Sequence, residues 1–387
     1  MKIITKTILV LSLVSMFTDI STEMLYPVMP IFLKSIGYSV FFIGILEGVA
    51  EAVAGYGKGY FGKMSDSMGK RVPFVRFGYF LSAISKPMMI LILNPFWILF
   101  SRASDRIGKG IRTGARDAIL SSETTKEFKG RVFGFHRTFD TFGAAIGPII
   151  ALVYLYFYPG NFIPLFYMAI VPGLISVLFT FFLKEPQSSV NAKTEYNLLA
   201  FLKYWKVSAP QYKRLVSGLL AFALFNSSDV FLLLIARHNG ADDRLVIILY
   251  IFYNLVYAIS SGPIGILGDK IGLKKTFIIG LCCFVITYAG LPFAPSFTAM
   301  LPLFFIYGVY AAATEGISKA WISNIAKKEE VATAIGFYAS WQSLFTFLAS
   351  AFAGLLWASA GAGVPFIMTS SATVLIILYL GIAVKDN

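Results

Sequence analysis

Two carboxylates, Asp19 and Glu23, lie four residues apart in the otherwise apolar stretch LVSMFTDISTEMLYPVMPIFL, residues 13–33. A spacing of four places both side chains on one face of a helix. Desolvation raises the proton affinity of a carboxyl group that faces a cavity, and a nearby cation lowers it. This balance suits a group that binds and releases a proton near neutral pH. The pair therefore predicts a proton site inside an apolar helix.

Further acids lie in other apolar stretches and extend this set. Glu47 and Glu51 are again four residues apart, and Asp229 stands in the second half of the chain roughly where Asp19 stands in the first. Fixed salt bridges that hold helices together are the alternative interpretation of each acid. The candidates for proton coupling or for the wall of a cavity are Asp19, Glu23, Glu47, Glu51, Arg102, Asp105, Arg106, Asp140, Asp229 and Glu315.

The run RASDRIGKGIRTGARDA, residues 102–118, is the densest group of charges in an apolar stretch. An unpaired charge at the centre of a bilayer costs about 3 kcal/mol or more. A lipid-facing position is therefore excluded for so many basic groups. They either form one wall of a cavity or are held in ion pairs with Asp105, Asp117 and acids of other helices.

Composition identifies the surroundings of these charges. The chain has 387 residues, of which 57% are hydrophobic and 14% charged, whereas an ordinary soluble domain is about 25% charged. A helix crosses a bilayer with about 20 apolar residues. We predict an all-α polytopic membrane protein with twelve transmembrane helices. They cover residues 7–33, 40–61, 73–94, 96–121, 132–157, 164–183, 215–237, 245–267, 275–294, 296–323, 332–357 and 364–384.

The basic residues outside these spans set the topology. With the N-terminus in the cytoplasm, most of them fall in cytoplasmic segments, and only Lys34, Arg237 and Arg244 fall outside. This asymmetry follows the positive-inside rule and predicts that both termini are cytoplasmic. The net charge of +13 therefore reflects topology, and we expect no nucleic-acid partner.

The longest polar interval divides the spans six and six. We predict an N-terminal six-helix bundle at 1–183, a cytoplasmic linker at 184–214 and a C-terminal six-helix bundle at 215–387. Within the linker, YNLLAFLKYWKV at 196–207 mixes aromatic, leucine and lysine residues as an interfacial helix does. A flexible linker is the alternative.

The two halves repeat a motif. GKMSDSMGKRV, residues 62–72, and GILGDKIGLKK, residues 265–275, both read Gly-x-x-x-Asp-x-x-Gly followed by basic residues. Gly62 and Gly69 would allow a tight turn between helices. Asp66 can accept hydrogen bonds from backbone N–H groups at the start of a neighbouring helix, where the dipole favours an anion. A six-span unit used twice predicts two pseudo-symmetric halves.

The paired motifs and the six-plus-six layout resemble the major facilitator superfamily over essentially the whole chain. The segments FTDISTEMLYPVMPIFL and DRIGKGIRTGARDAI resemble its bacterial branch of predicted efflux permeases. The resemblance implies a cytoplasmic latch that holds the outward-facing state, with Asp66 paired to a base of the fourth-span region. The implied gate residues are Gly62, Asp66, Gly69, Arg71, Asp269 and Gly272.

Two more features of the resemblance concern coupling and direction. The family's fourth-span arginine, associated with proton transfer, matches either Arg102 or Arg106. The sequence GAAIGP at 143–148 resembles the fifth-span motif of antiporters, although Ala151 and Leu152 replace its final glycines. The resemblance therefore favours export over import.

These observations define the expected function. We predict a secondary active transporter, a proton-coupled exporter of a small amphiphilic or anionic compound that works by alternating access. The alternative is a proton-coupled importer of a siderophore or nutrient. The chain has no Walker loop and no nucleophile motif, so we expect neither ATP-driven transport nor an enzyme. H⁺ is the expected coupling ion, Na⁺ stays open, and no cofactor or metal is expected. We expect a monomer in the bilayer of a bacterial inner membrane.

Overall fold

The computed structural model describes residues 3–38, 40–185, 200–241 and 243–384. Over these residues the regular structure is helical throughout. The α-helices are α1 (Lys6–Leu25), α2 (Val28–Ser35), α3 (Val40–Met68), α4 (Val72–Leu91), α5 (Pro95–Ser122), α6 (Lys129–Phe157), α7 (Ile163–Thr180), α8 (Tyr204–Val207), α9 (Pro210–Phe225), α10 (Val230–His238), α11 (Asp243–Ile271), α12 (Leu273–Gly290), α13 (Phe297–Ile325), α14 (Val331–Ala360) and α15 (Val364–Ala383).

Each predicted span corresponds to one long helix or to a pair of helices in series. In the described part of the chain, nine stretches are long and apolar enough to cross a membrane. The helices α3, α4 and α5 fall outside this group because charged residues interrupt their apolar sequence. Two of these helices, α3 and α5, carry many of the candidate residues.

Two spans are broken in the middle. The first consists of α1 and α2, which separate at Tyr26 and Pro27 because proline lacks the N–H that would continue the hydrogen-bond ladder. The seventh consists of α9 and α10, which separate at residues 226–229. Asp229 stands at the N-cap of α10, so an acid of the candidate set lies at a helix break.

The helices pack into two compact units. One contains residues 1–124, 139–206 and 327–340, and the other contains 125–138, 207–326 and 341–387. Each unit thus combines most of one sequence half with the opening turns of one helix from the other half. The boundaries predicted at 183 and 215 rest on the longest polar interval and stay a prediction.

The described part of the predicted linker helix is short. A 3₁₀ turn at Ala200–Lys203 runs into α8, whereas residues 196–199 of the predicted helix lie outside the described residues. Phe201 and Tyr204 are buried. These two rings therefore pack against protein within their own unit.

Candidate functional site

A pair of carboxyl groups joins α1 to α6. The side chain of Asp19 interacts electrostatically with that of Asp140, and Asp140 is buried. Gly143 permits this contact, because a Cβ at that position would come within 2.3 Å of the Met16 carbonyl and 3.1 Å of Asp19 Cβ. Two carboxylates that interact in a buried site repel each other, which favours retention of one proton by the pair.

A serine connects this pair to the basic fourth span. The Ser15 hydroxyl donates to Asp140 Oδ1 and accepts from Arg116 Nη1 at 3.2 Å. Arg116 is also paired with its neighbour Asp117, at 2.9 Å between Nη2 and Oδ1. A chain of polar contacts therefore runs from Asp117 through Arg116 and Ser15 to the acid pair.

Glu23 and Glu51 face basic groups of α5. Glu23 is half-buried and interacts electrostatically with Lys109, Arg106 and Arg102. Glu51 Oε1 lies 3.6 Å from Arg106 Nη1. Acids of spans one and two thus lie opposite basic groups of the fourth span. The side chain of Glu47 lies outside the described part of the structure.

Asp105 is surrounded by cations. Its Oδ1 lies 3.6 Å from Lys86 Nζ and its Oδ2 lies 3.6 Å from Arg102 Nη1. All three side chains are at least 95% buried. Lys86 Nζ also donates to the Ser82 carbonyl at 2.9 Å. These contacts favour the ion-pair interpretation for Asp105 over a role as a proton carrier.

Asp229 forms the corresponding acid centre of the second unit. Tyr253 donates to its Oδ2 at 2.6 Å and Tyr307 donates to its Oδ1 at 2.7 Å. Both tyrosines are buried, whereas Asp229 is half-buried. The helix break at residues 226–229 places this carboxylate among the side chains of α11 and α13.

Glu315 pairs with an arginine of α6. Arg137 forms an ion pair with Glu315 Oε2 and donates to the Tyr257 hydroxyl. Its guanidinium carbon also lies 4.9 Å from the centre of the Tyr257 ring. Glu315 therefore belongs to a contact between helices, which its position on α13 alone does not reveal.

The first repeated motif caps a helix. Asp66 Oδ2 accepts from the Thr333 backbone N–H at 2.7 Å and from the Thr333 hydroxyl at 2.8 Å. Thr333 lies in the first turn of α14, so the carboxylate meets the positive end of the helix dipole, as the sequence predicted. The resemblance implied a basic partner in the fourth-span region, and that pairing stays a prediction. The ion pair of Asp66 is with Arg71, at 3.6 Å, because the turn at Gly69 returns the chain toward Asp66.

The second copy of the motif repeats the arrangement. Asp269 Oδ2 accepts from the Arg131 backbone N–H at 2.9 Å, and Arg131 lies in the first turn of α6. Gly69 and Gly272 follow the two motif helices with φ of +63° and +97°, a conformation that glycine adopts without strain. Both motifs thus end one helix and cap the start of another.

Gly62 does not form a turn, so that interpretation is wrong. It lies within α3, and a Cβ there would come within 2.5 Å of the Ala332 carbonyl. The physical requirement at this position is close approach of two backbones. Across the same contact, Gly336 lies so near the Lys58 carbonyl that a Cβ would come within 2.3 Å.

Aromatic residues of the linker cover this contact. The Phe201 ring stands against Gly59, where a Cβ would meet it at 2.5 Å. Trp205 stacks on Phe337 of α14 with ring centres 5.7 Å apart. Burial and the nearby carboxylate of Glu330 raise the pKa of the Tyr204 phenol, so its hydroxyl stays protonated. The linker therefore packs on α3 and α14 within one unit.

Comparison with known proteins decides the family. The profile of the Major Facilitator Superfamily matches residues 11–235 and 214–386. The chain belongs to the major facilitator superfamily. An uncharacterized MFS-type transporter of Methanocaldococcus jannaschii is 33% identical over 363 residues, covering 92% of this transporter and 89% of the relative. The multi-drug resistance efflux pump PmrA of Streptococcus pneumoniae is 24% identical, covering 83% and 81%.

Solved structures agree on the fold. The human organic anion transporter MFSD10 superposes with a TM-score of 0.82 at 16% identity, covering 97% of this transporter and 98% of that chain. The proton:xylose symporter XylE gives a TM-score of 0.77 at 15% identity, covering 98% and 95%. The fold is all-α and polytopic, with twelve transmembrane helices in two pseudo-symmetric halves.

Several residues that hydrogen-bond to the acids of this transporter cannot be predicted from the sequence. Ser15, Thr333 and Tyr307 carry no signal of their own, because serine, threonine and tyrosine are common in membrane helices. Each becomes recognisable only through its contact with an acid. Within the described residues, no group of three or more His, Cys, Asp or Glu side chains is arranged to hold a metal ion.

Proposed function

We propose that this chain is a proton-coupled exporter of a small amphiphilic compound, working by alternating access. The observation that carries the proposal is the contact between Asp19 and Asp140. A shared proton between two acids is released when the carboxyls separate or when a cation approaches. Lys109 of α5 interacts electrostatically with Asp19, so a small shift of α1 relative to α5 would change the proton affinity of Asp19.

Two observations favour export of an amphiphile. The PmrA relative is described as a multi-drug resistance efflux pump, and Gly143 and Gly147 of the antiporter-like motif press α6 closely against α1. The transporter would act as a monomer, take a small-molecule substrate and use H⁺ with no cofactor. Its place would be a bacterial inner membrane, with both termini in the cytoplasm.

Everted membrane vesicles test the coupling and direction. Compounds that inhibit growth of a deletion strain would be offered to vesicles energised by a proton gradient, acid inside. We expect accumulation that collapses when a protonophore is added. Accumulation that follows a sodium gradient and ignores the protonophore would reject proton coupling. Accumulation that is driven only by the opposite proton gradient would show that the protein is a symporter and not an exporter.

We expect Asp66→Asn to increase solvent access at the end of the helices that carries the repeated motifs. Hydrogen bonds to a charged acceptor contribute about 1.5–3 kcal/mol, and the carboxylate also loses its attraction to the α14 dipole. Thr333→Val should have a smaller effect, because the backbone N–H that binds Asp66 remains. The measurement is maleimide labelling of Ser340→Cys in a Cys282→Ala/Cys283→Ala background. Equal labelling rates in Asp66→Asn and its parent would contradict a latch.

The aromatic residues of the linker allow a second, independent test of access to this end of the helices. Removing an aromatic pair costs about 0.5–1.5 kcal/mol, which corresponds to a two- to twelvefold change in an equilibrium. Phe201→Ala should therefore raise labelling of Ser340→Cys by about that factor. Phe182→Ala removes a ring that is 62% exposed and serves as the control. A rise of the same size in the control would show that the linker has no special role.

A further inference from the structure

Among the described residues, no cation lies within ion-pair distance of Asp229. Within the described residues, its contacts are the hydroxyls of Tyr253 and Tyr307. The nearby guanidinium of Arg137 is engaged by Glu315. By contrast, Asp105 has two cations at 3.6 Å and Glu51 has Arg106 at the same distance. Arg137 therefore acts on Asp229 only through an electrostatic interaction, and the groups in contact with the carboxyl are two hydroxyls.

The hydroxyls fix the orientation of this carboxylate. Each carboxylate oxygen accepts one tyrosine O–H, at 2.6 and 2.7 Å. Tyr253 and Tyr307 contact each other, with ring centres 5.3 Å apart and planes at 76°. Both rings are buried while Asp229 keeps part of its surface exposed. The residue Asp229 is therefore not fully enclosed by the two rings.

Aromatic rings continue away from the carboxylate. The Tyr253 ring centre lies 6.3 Å from that of Phe304 and 5.4 Å from that of Tyr250, which is half-buried. Rings of this kind attract cations through their faces and pack against apolar groups. An unpaired carboxylate beside aromatic rings is the chemistry that recognises a positively charged apolar molecule.

We propose that Asp229, Tyr253 and Tyr307 bind the cationic group of an amphiphilic organic cation. This assigns a substrate class to the second unit and leaves proton exchange to Asp19 and Asp140 in the first. The inference rests on the proposed function as an exporter. A bound cation compensates the charge of Asp229, while its apolar body lies along the aromatic rings. An anionic substrate is disfavoured at this site.

Binding of tetraphenylphosphonium to the purified full chain in detergent micelles tests the proposal. We expect saturable binding that Asp229→Asn weakens at least tenfold, whereas Glu127→Gln, which removes a charge from an exposed acid, leaves it unchanged. Tetraphenylborate has the same shape and the opposite charge, and should bind no better to the wild-type chain than to Asp229→Asn. Equal affinity of tetraphenylphosphonium for the wild-type chain and Asp229→Asn would overturn the proposal.

A measurement on the wild-type protein avoids any folding defect of the variant. Dicyclohexylcarbodiimide modifies carboxyl groups in apolar sites, and mass spectrometry locates the modified residue. Tetraphenylphosphonium should slow modification of Asp229 and leave that of Asp19 unchanged. An unprotected Asp229 would reject the site. Asp19→Asn should retain tetraphenylphosphonium binding, so a loss of proton coupling and a loss of cation binding are separate outcomes.

Discussion

Asp19→Asn is expected to reduce proton-driven transport to the level of vesicles without the protein, while the chain still folds and inserts. An asparagine keeps the shape of the side chain and can still hydrogen-bond to Asp140. It has no titratable proton, however, so the shared proton of the pair is lost. The close approach of α6 to α1 at Gly143 is unaffected by the change, which is why we expect folding to persist.

The measurement is the pH dependence of transport in everted vesicles. Wild-type vesicles should show a rate that changes with pH, and Asp19→Asn vesicles a low rate that does not. Ser15→Ala should shift the wild-type profile without flattening it, since the Ser15 hydroxyl donates to Asp140 but carries no exchangeable charge. Glu127→Gln is the control for loss of an acid at the surface. A wild-type profile in Asp19→Asn would remove this residue from the coupling mechanism.

The fold of this transporter was largely readable from its sequence. Apolar stretches of bilayer length mark the spans, and the repeated Gly-x-x-x-Asp-x-x-Gly motif marks the two halves. The cap formed by Asp66 also followed from the attraction between a carboxylate and a helix dipole. The identity of the capped helix did not follow, because Thr333 is distant in sequence and a threonine in a first turn is ordinary. The turn predicted at Gly62 was wrong for a similar reason. A glycine is required there because the Ala332 backbone, which is distant in sequence, approaches it closely.

The roles of individual acids were harder to predict, because composition cannot supply their neighbours. Asp19 and Asp105 are both aspartates in transmembrane helices. Only packing distinguishes them: Asp19 meets another acid, whereas Asp105 meets Lys86 and Arg102. The first contact favours an exchangeable proton and the second favours a permanent charge. The sequence supplies the set of candidate acids, and their contacts favour different chemistry for each.

Asp105→Ala is accordingly expected to destabilise the protein, with transport lost as a consequence. The substitution leaves Lys86 and Arg102 buried without the carboxylate that compensates them. Breaking a buried ion pair in this way costs about 3–5 kcal/mol. The free energy of unfolding in detergent micelles, followed by denaturant titration, is the direct measurement. Replacing both members of the pair, as Lys86→Met/Asp105→Leu, should recover part of the loss, because the buried lysine charge is then removed as well.

Glu51→Ala provides a control that the chain itself supplies. Glu51 and Arg106 are separated by 3.6 Å, the same distance as Asp105 and Lys86, but the Glu51 side chain is 46% exposed. Ion pairs open to solvent contribute about 0–1 kcal/mol, so the two alanine variants should differ by several-fold in their effect on stability. If they cost the same, burial does not decide the role of Asp105. A stable Asp105→Ala protein that has lost only its pH dependence would instead place Asp105 among the proton carriers.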